Sequence, residues 1–305
     1  MPEHGQCGWP AGCLMSALAG SWMLLSQPVW AAFSIPGYEL VYNAPQETTL
    51  QDNDLRHAAE VWQQMFDAAR SHIDLAQFYV ANEKGSLLDG VLARLRAAGE
   101  RGVKIRFLME EKGVGLSTPE TLTALKAIPN LELRVIPFHR LTGGIVHAKY
   151  LLVDGKEAFV GSQNFDWRAL EQIQETGLRI SDPQTVQQIQ AIFDQDWQAQ
   201  ALLAESKPVP KPARQAVASA PQGNYLVASP RDYNPSGVID SQVALPQLLA
   251  SAKSRIRVQV MDYAPLAWGE KGSRPFYAPI DNALRSAAAR GVQVELMVAN
   301  WNLKK

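Results

Sequence analysis

Cysteine is almost missing from this chain. Two are present, Cys7 and Cys13, and both precede residue 32. A mature chain that has shed this segment has no disulfide, no cysteine nucleophile and no cysteine-ligated metal. An excess of one charge is missing too: 29 Lys and Arg stand against 30 Asp and Glu. No global field therefore drives the protein onto nucleic acid or an anionic membrane, and any anion site has to be built locally. The apolar, uncharged segment CLMSALAGSWMLL (13–25) is too short for an ordinary membrane span.

That segment instead reads as the core of a secretory signal peptide, residues 1–31, with Val29 and Ala31 as the small residues before the cut. Its n-region has Glu3 and His4 and no Lys or Arg. The expected destination is export, periplasmic or secreted. Removal leaves 29 acidic against 29 basic residues. A hydrophobic content of 47% with 19% charged residues in 305 marks a globular chain with room for a sizeable core.

From about Asp54, apolar spacing alternates between helix and strand. Leu55, Ala59, Trp62, Phe66 and Ala69 recur at helical intervals, and IDLAQFYV (73–80), KIRFLM and LELRVIPF (131–138) read as strands. The pattern predicts an α/β fold with helices covering the strands. It also repeats. ARSHIDLAQFYV at Ala69 is matched by AKSRIRVQVMDY 183 positions later at Ala252, and ERGVKIRFLM by ARGVQVELMV, with Gly102 and Gly291 separated by 189. Two ordered matches predict a duplicated domain. The expected organisation is a first domain at 41–203, a Pro-rich connector at 204–224, and the N-terminal part of a second domain at 225–305.

Chemistry concentrates in HAKYLLVDGKEAFVGSQN (147–164). His147 and Lys149, two apart, share one face of an extended strand. DGK at 154–156 is a turn signal, and the returning strand presents Ser162 and Asn164 beyond its end. An imidazole, an ammonium, a hydroxyl and a carboxamide on one hairpin suit a phosphodiester. Lys149 offers charge to the non-bridging oxygens, Ser162 and Asn164 offer neutral donors, and a neutral His147 nitrogen attacks phosphorus. The other ring nitrogen needs a partner to fix the tautomer, and Glu175 in QETGLRI is the candidate. The scheme requires neither metal nor cofactor.

His147, Lys149, Asp154, Gly161, Ser162 and Asn164 fit the H-x-K-x4-D-x6-G-S-x-N pattern without a gap, and here the chain resembles the phospholipase D superfamily. The resemblance implies duplicated α/β sandwich domains, a phosphohistidine mechanism and no metal ion. It places Glu175 where the family has the acid that orients the histidine, and it adds Asp154 to the catalytic candidates, although a tight turn favours a structural role for that residue. NFDWRALEQIQETG, VMDYAP and RPFYAPIDNALRSAAARGVQVELMV resemble the branch of lysosomal 5′ exonucleases of single-stranded nucleic acid, over about Val41 to Lys305. The implied substrate is single-stranded nucleic acid or a phospholipid. The family brings two such motifs to one site, one histidine attacking and the other protonating the leaving group. At the repeat offset the second histidine falls at 336, past Lys305. The expectation is a second domain truncated in a fragment, or a homodimer that completes the site. The alternatives are a phosphatidyltransferase of the cardiolipin synthase type and an inactive phosphate-binding remnant.

Other residues have plainer readings. His57, His72 and His139 are expected to be structural, and Asp166 to cap the following helix. Glu110, Glu111 and Lys112 read as a solvated charge run at a strand end. Tyr79, Tyr150 and Phe165 are the candidates for stacking on a base.

Overall fold

The first elements among the described residues are β1 (Ser34–Ile35) and β2 (Tyr38–Asn43), followed by α1 (Ala58–Ala68), β3 (His72–Gln77) and β4 (Val80–Ala81). Next come α2 (Leu87–Glu100), β5 (Lys104–Glu110), a 3-10 segment at Glu111–Leu116, α3 (Pro119–Lys126), β6 (Leu131–Ile136) and the short α4 (His139–Thr142). The hairpin β7 (Tyr150–Val153) and β8 (Glu157–Gly161) leads to β9 (Phe165–Asp166), α5 (Trp167–Glu171), β10 (Glu175–Ile180) and the long α6 (Pro183–Ala204). The remainder holds β11 (Val227–Ala228), β12 (Ile239–Asp240), α7 (Ser241–Ser251), β13 (Arg255–Val260), α8 (Pro279–Ala289) and β14 (Gln293–Val298). The structure is a computed structural model and describes residues 33–213, 223–267 and 273–300. The candidate signal segment with both cysteines, part of the Pro-rich connector and the final five residues lie outside the described residues.

Eight strands form one mixed sheet in the order β1-β2-β10-β8-β7-β3-β5-β6. The β3, β5 and β6 strands run parallel, joined by crossovers that contain α2 and α3. The β7–β8 hairpin, β10 and β2 complete the sheet with antiparallel pairs. Strand alternation then sorts side chains onto two faces. Ile73, Leu75, Ile105, Phe107 and Leu151 pack with Trp62, Phe66, Leu88 and Leu95 of α1 and α2. Ala76, Leu108, Ile136 and Leu152 pack with Ile189, Phe193 and Trp197 of α6. Full burial of each large side chain contributes roughly 1.5–3 kcal/mol before entropy is counted. The α/β expectation holds, with the sheet sandwiched between helical layers.

One buried charge fastens α6 to the sheet. Asp74 is fully buried and accepts from Arg106 Nε and Nη2, both at 2.7 Å. Arg106 also reaches Asp194 at 2.8 Å, and Gln190 donates to Asp74 at 2.8 Å. The buried carboxylate thereby has its hydrogen bonds made, as burial of a charge demands.

The sequence repeat has a structural counterpart. The β3–β5 pair starts at His72 opposite Lys104, and the β13–β14 pair at Arg255 opposite Gln293. These starts carry the same 183 and 189 offsets as the sequence match, and α1 and α7 are related by the first of them. A small core of Ile256, Leu284, Ala287 and Val292 supports the second unit. Among the described residues, no helix is long and apolar enough to cross a membrane.

Candidate active site

Strand direction decides which residues meet. The β3 and β5 strands end at one edge of the sheet, where the antiparallel β7 begins, β8 ends and β10 begins. Phe78, Glu110, His147, Lys149, Ser162, Asn164 and Glu175 all belong to that edge. The sequence expectation put His147 and Lys149 within a strand. The structure starts β7 at Tyr150, so both lie in the extended segment feeding it. They still come together: Lys149 Nζ lies 3.0 Å from His147 Nδ1, 3.4 Å from Nε2, and donates to the His147 carbonyl at 2.6 Å.

Their exposure differs. Lys149 is buried, 8% exposed, while His147 opens to solvent. Burial lowers the Lys149 ammonium to about 8, against the opposing pull of Glu175. Partial burial and then the Lys149 charge hold the His147 imidazole below its usual range, which favours the neutral ring. Burial raises the Glu175 carboxyl, opposed by its hydrogen bond with Ser162 and by Lys149. Glu175 therefore touches Ser162 and balances Lys149. Among the described residues, the side-chain partners of the His147 ring are Lys149 and Phe78, and the expected Glu175–His147 hydrogen bond is not formed.

The remaining motif residues divide between chemistry and architecture. Ser162 Oγ bridges to the Thr176 carbonyl at 3.2 Å and accepts from Thr176 N at 3.1 Å, tying the exit of β8 to β10. Asn164 sits beside it, with Oδ1 buried and without a hydrogen-bond partner. Gly161 pairs with Gly177 across β8 and β10. A Cβ on Gly177 would lie 2.3 Å from the Phe159 ring, and one on Gly161 2.1 Å from Gln163 Oε1 and 2.8 Å from Phe159. The two glycines make room for Phe159, which meets Trp62 edge-on at 5.4 Å.

Asp154 requires correction as a catalytic candidate. It lies at the opposite end of β7, five residues from Lys149 and so roughly 16 Å away along an extended chain. Its φ of 54° and that of 63° at Gly155 shape the turn, closed by Lys156 N to Val153 O at 3.0 Å. Its carboxylate accepts from Arg70 N, Ser71 N, Ser71 Oγ and His72 N at 2.7–3.0 Å. It clamps the start of β3, not a substrate.

The stacking candidates change as well. Tyr150 and Phe165 are buried in the cores and cannot meet a base. Tyr79 donates its hydroxyl to Asp166 at 2.5 Å, and Arg168 holds the same carboxylate at 2.6 Å. Asp166 does cap α5, accepting from Arg168 N at 2.8 Å. The aromatic beside the imidazole is Phe78, ring to ring 4.6 Å at 62°, with Lys149 Nζ 5.8 Å from its centroid. A residue just past a strand's C-terminal end was the available signal. Glu110 was misread: it is fully buried, not solvated, and accepts from Val146 N at 2.8 Å. Of the histidines expected to be structural, His57 caps α1 through Ala59 N while contacting the Leu170 carbonyl at 2.9 Å. Among the described residues, no group of three or more His, Cys, Asp or Glu is arranged to hold a metal ion.

Comparison with known proteins bears on this edge. Residues 63–197 match a family model described as "Cardiolipin synthase, PLD-like domain". Phospholipase D Z of Dictyostelium discoideum is 31% identical over 291 residues, covering 87% of this chain and 67% of that protein. A probable phospholipase D, F09G2.8, of Caenorhabditis elegans is 28% identical over 264 residues, covering 81% and 48%. The 5'-3' exonuclease PLD3 of Bos taurus is 28% identical over 267 residues, covering 80% and 54%. The chain thus spans about half to two thirds of the length of the curated relatives it matches.

Proposed function

Since this chain belongs to the phospholipase D superfamily, we propose that it is a phosphodiesterase in which His147 is the nucleophile, Lys149 the countercharge and Asn164 a neutral donor to phosphate. The observation that carries the reading is the 3.0 Å contact between Lys149 Nζ and His147 Nδ1 at an open sheet edge. In the first step a neutral ring nitrogen bonds to phosphorus, the ester P–O bond breaks, and the leaving oxygen takes a proton. In the second, water gives a proton to the base left by the first step as its oxygen bonds to phosphorus, the N–P bond breaks, and a phosphomonoester leaves with the ring nitrogen restored. Lys149 exchanges its ring contact for a phosphate oxygen as substrate enters, which frees the ring for attack. Glu175 acts on Lys149 and Ser162 in the resting site and meets the imidazole when its positive charge develops.

The proton for the leaving group needs a second acid, and a second H-x-K motif, from a further part of the protein or from another copy of the chain, is its source. The substrate is a diester of nucleic acid or phospholipid. The names of the relatives support both classes, and the exonuclease-like NFDWRALEQIQETG segment favours single-stranded nucleic acid. Export after cleavage at Ala31 belongs to the same proposal, and N-terminal sequencing of exported material checks it.

The test is hydrolysis of bis-p-nitrophenyl phosphate alongside single-stranded DNA and phosphatidylglycerol. Turnover is expected to resist EDTA and to disappear in His147→Ala without change in the circular dichroism spectrum. Full activity of His147→Ala, or no acid-labile phosphate on a rapidly quenched wild-type protein, defeats the reading.

A further inference from the structure

Glu110 has an uncommon position. It is the last residue of β5 and has no solvent exposure. Its carboxylate joins two loops. Oε2 accepts from Val146 N at 2.8 Å, and Oε1 accepts from Lys112 N at 3.2 Å at the start of the 3-10 segment. Val146 is the residue immediately before His147. A buried carboxylate that receives backbone N–H groups makes charge-assisted bonds, which are shorter and stronger than neutral ones. Its loss would leave the Val146 N–H without its acceptor.

The same segment sets the other wall of the site. Gly113 is buried, and a Cβ there would lie 1.7 Å from the Phe78 carbonyl oxygen. Only glycine lets the 3-10 segment approach the Phe78 backbone this closely. The Phe78 ring in turn abuts the His147 ring at 4.6 Å. Residues 110–113 therefore hold the histidine from two sides, through its own backbone and through the ring beside it.

We propose that Glu110 is a positioning residue that fixes the His147 segment for attack on phosphorus. The proposal rests on the phosphodiesterase reading for its kinetic consequence, and its geometric part stands without it. The charged group in contact with the His147 ring is Lys149, which Glu175 attracts in turn. Next to Glu110, Glu111 faces His139 at 3.5 Å. Glu110 bonds the His147 segment through backbone, so it acts on the imidazole by location and not as a direct hydrogen-bond partner.

The test uses the full chain with Glu110→Ala, and with Glu110→Gln in case the alanine variant does not fold. Two readouts are taken: the His147 midpoint from NMR pH titration of the ring, and kcat and KM on bis-p-nitrophenyl phosphate. Misplacing a reacting group by about 1 Å costs on the order of 100-fold in rate. Glu110→Ala is expected to lower kcat by about that factor with KM changed less than about threefold. The His147 midpoint should move up towards that of a free histidine as the Lys149 contact loosens. Glu110→Gln keeps one acceptor oxygen and should recover kcat to within about tenfold of wild type. A folded variant with unchanged midpoint and unchanged kcat overturns the proposal, as does a loss carried by KM alone. If the wild type has no phosphodiester turnover, the function reading fails. The midpoint then decides the positioning role: movement supports it and constancy overturns it.

Discussion

Asp154→Asn separates a structural carboxylate from a catalytic one. Burial pushes the Asp154 carboxyl up, but donors from His72, Ser71 and Arg70 outweigh it and hold it at about 2, against an ordinary 3.8. At about 1.4 kcal/mol for each tenfold change, that difference has a ceiling of about 2.4 kcal/mol. The turn is open to water, and screening reduces the figure to roughly 1–1.5 kcal/mol. Asparagine tolerates the φ of 54° at this position, so the substitution tests charge and hydrogen bonding without adding backbone strain. It retains an acceptor for some of the donors and turns an NH₂ towards others. The sign follows from a depressed carboxyl. The stability is fully present above about pH 4 and is lost as pH falls through about 2. The expected gap between wild type and variant in urea unfolding is therefore constant from pH 7 to about 5. It should shrink to about half by pH 3. The thermal midpoint should fall by about 2–6 °C at pH 7, while kcat stays within about twofold, because Asp154 lies at the sheet edge away from His147. A 100-fold loss of turnover with an unchanged unfolding curve would refute the reasoning and restore Asp154 to the reaction.

Two further outcomes follow from the site and its frame. Burial puts the Lys149 ammonium at about 8, so turnover that needs its charge should fall as pH rises through about 8. In Lys149→Arg that alkaline limb should vanish from the pH–rate profile, even if the rate itself drops, because guanidinium does not titrate there. Gly177→Ala places a methyl 2.3 Å from the Phe159 ring and should cost about 1–3 kcal/mol in urea unfolding; an unchanged midpoint would show that the Phe159–Trp62 contact yields freely.

Much of this was legible in sequence because local and global signals agreed. Period-two and helical spacing located β3, β5, β6 and α1, and the repeat offsets reappear residue for residue in the two parallel pairs. The H-x-K spacing brought His147 and Lys149 together, although in a loop instead of a strand. The errors have one origin. Sequence gives the direction in which a residue lies along a strand, but not what covers it. Tyr150 and Phe165 are aromatic residues beside the motif, yet α6 and the α1–α2 layer bury them. Glu110 looks like a surface charge until β5 carries it inside, where two backbone N–H groups satisfy it. Phe78 had only its place just past the end of β3 to mark it, and its role depends on Gly113 coming close from a different loop.

The lysine links these observations. An ammonium in a buried position costs free energy unless neighbours compensate, and Lys149 is compensated by the His147 carbonyl at 2.6 Å, by the imidazole and by Glu175. That compensation is good enough to keep the cation in place and weak enough to surrender, since an imidazole is a poorer partner than a phosphate oxygen. Under the proposed function, an entering diester gains the ammonium by displacing the ring. The displaced ring is relieved of a neighbouring positive charge, which raises its basicity at the moment it must attack. Binding of the anion and activation of the nucleophile become one exchange, and the exchange works only if the backbone of His147 stays fixed while Lys149 moves. Glu110 supplies that fixity from β5, and Asp154 anchors the far end of β7, so the two buried or tethered carboxylates hold opposite ends of the strand whose entrance carries His147 and Lys149.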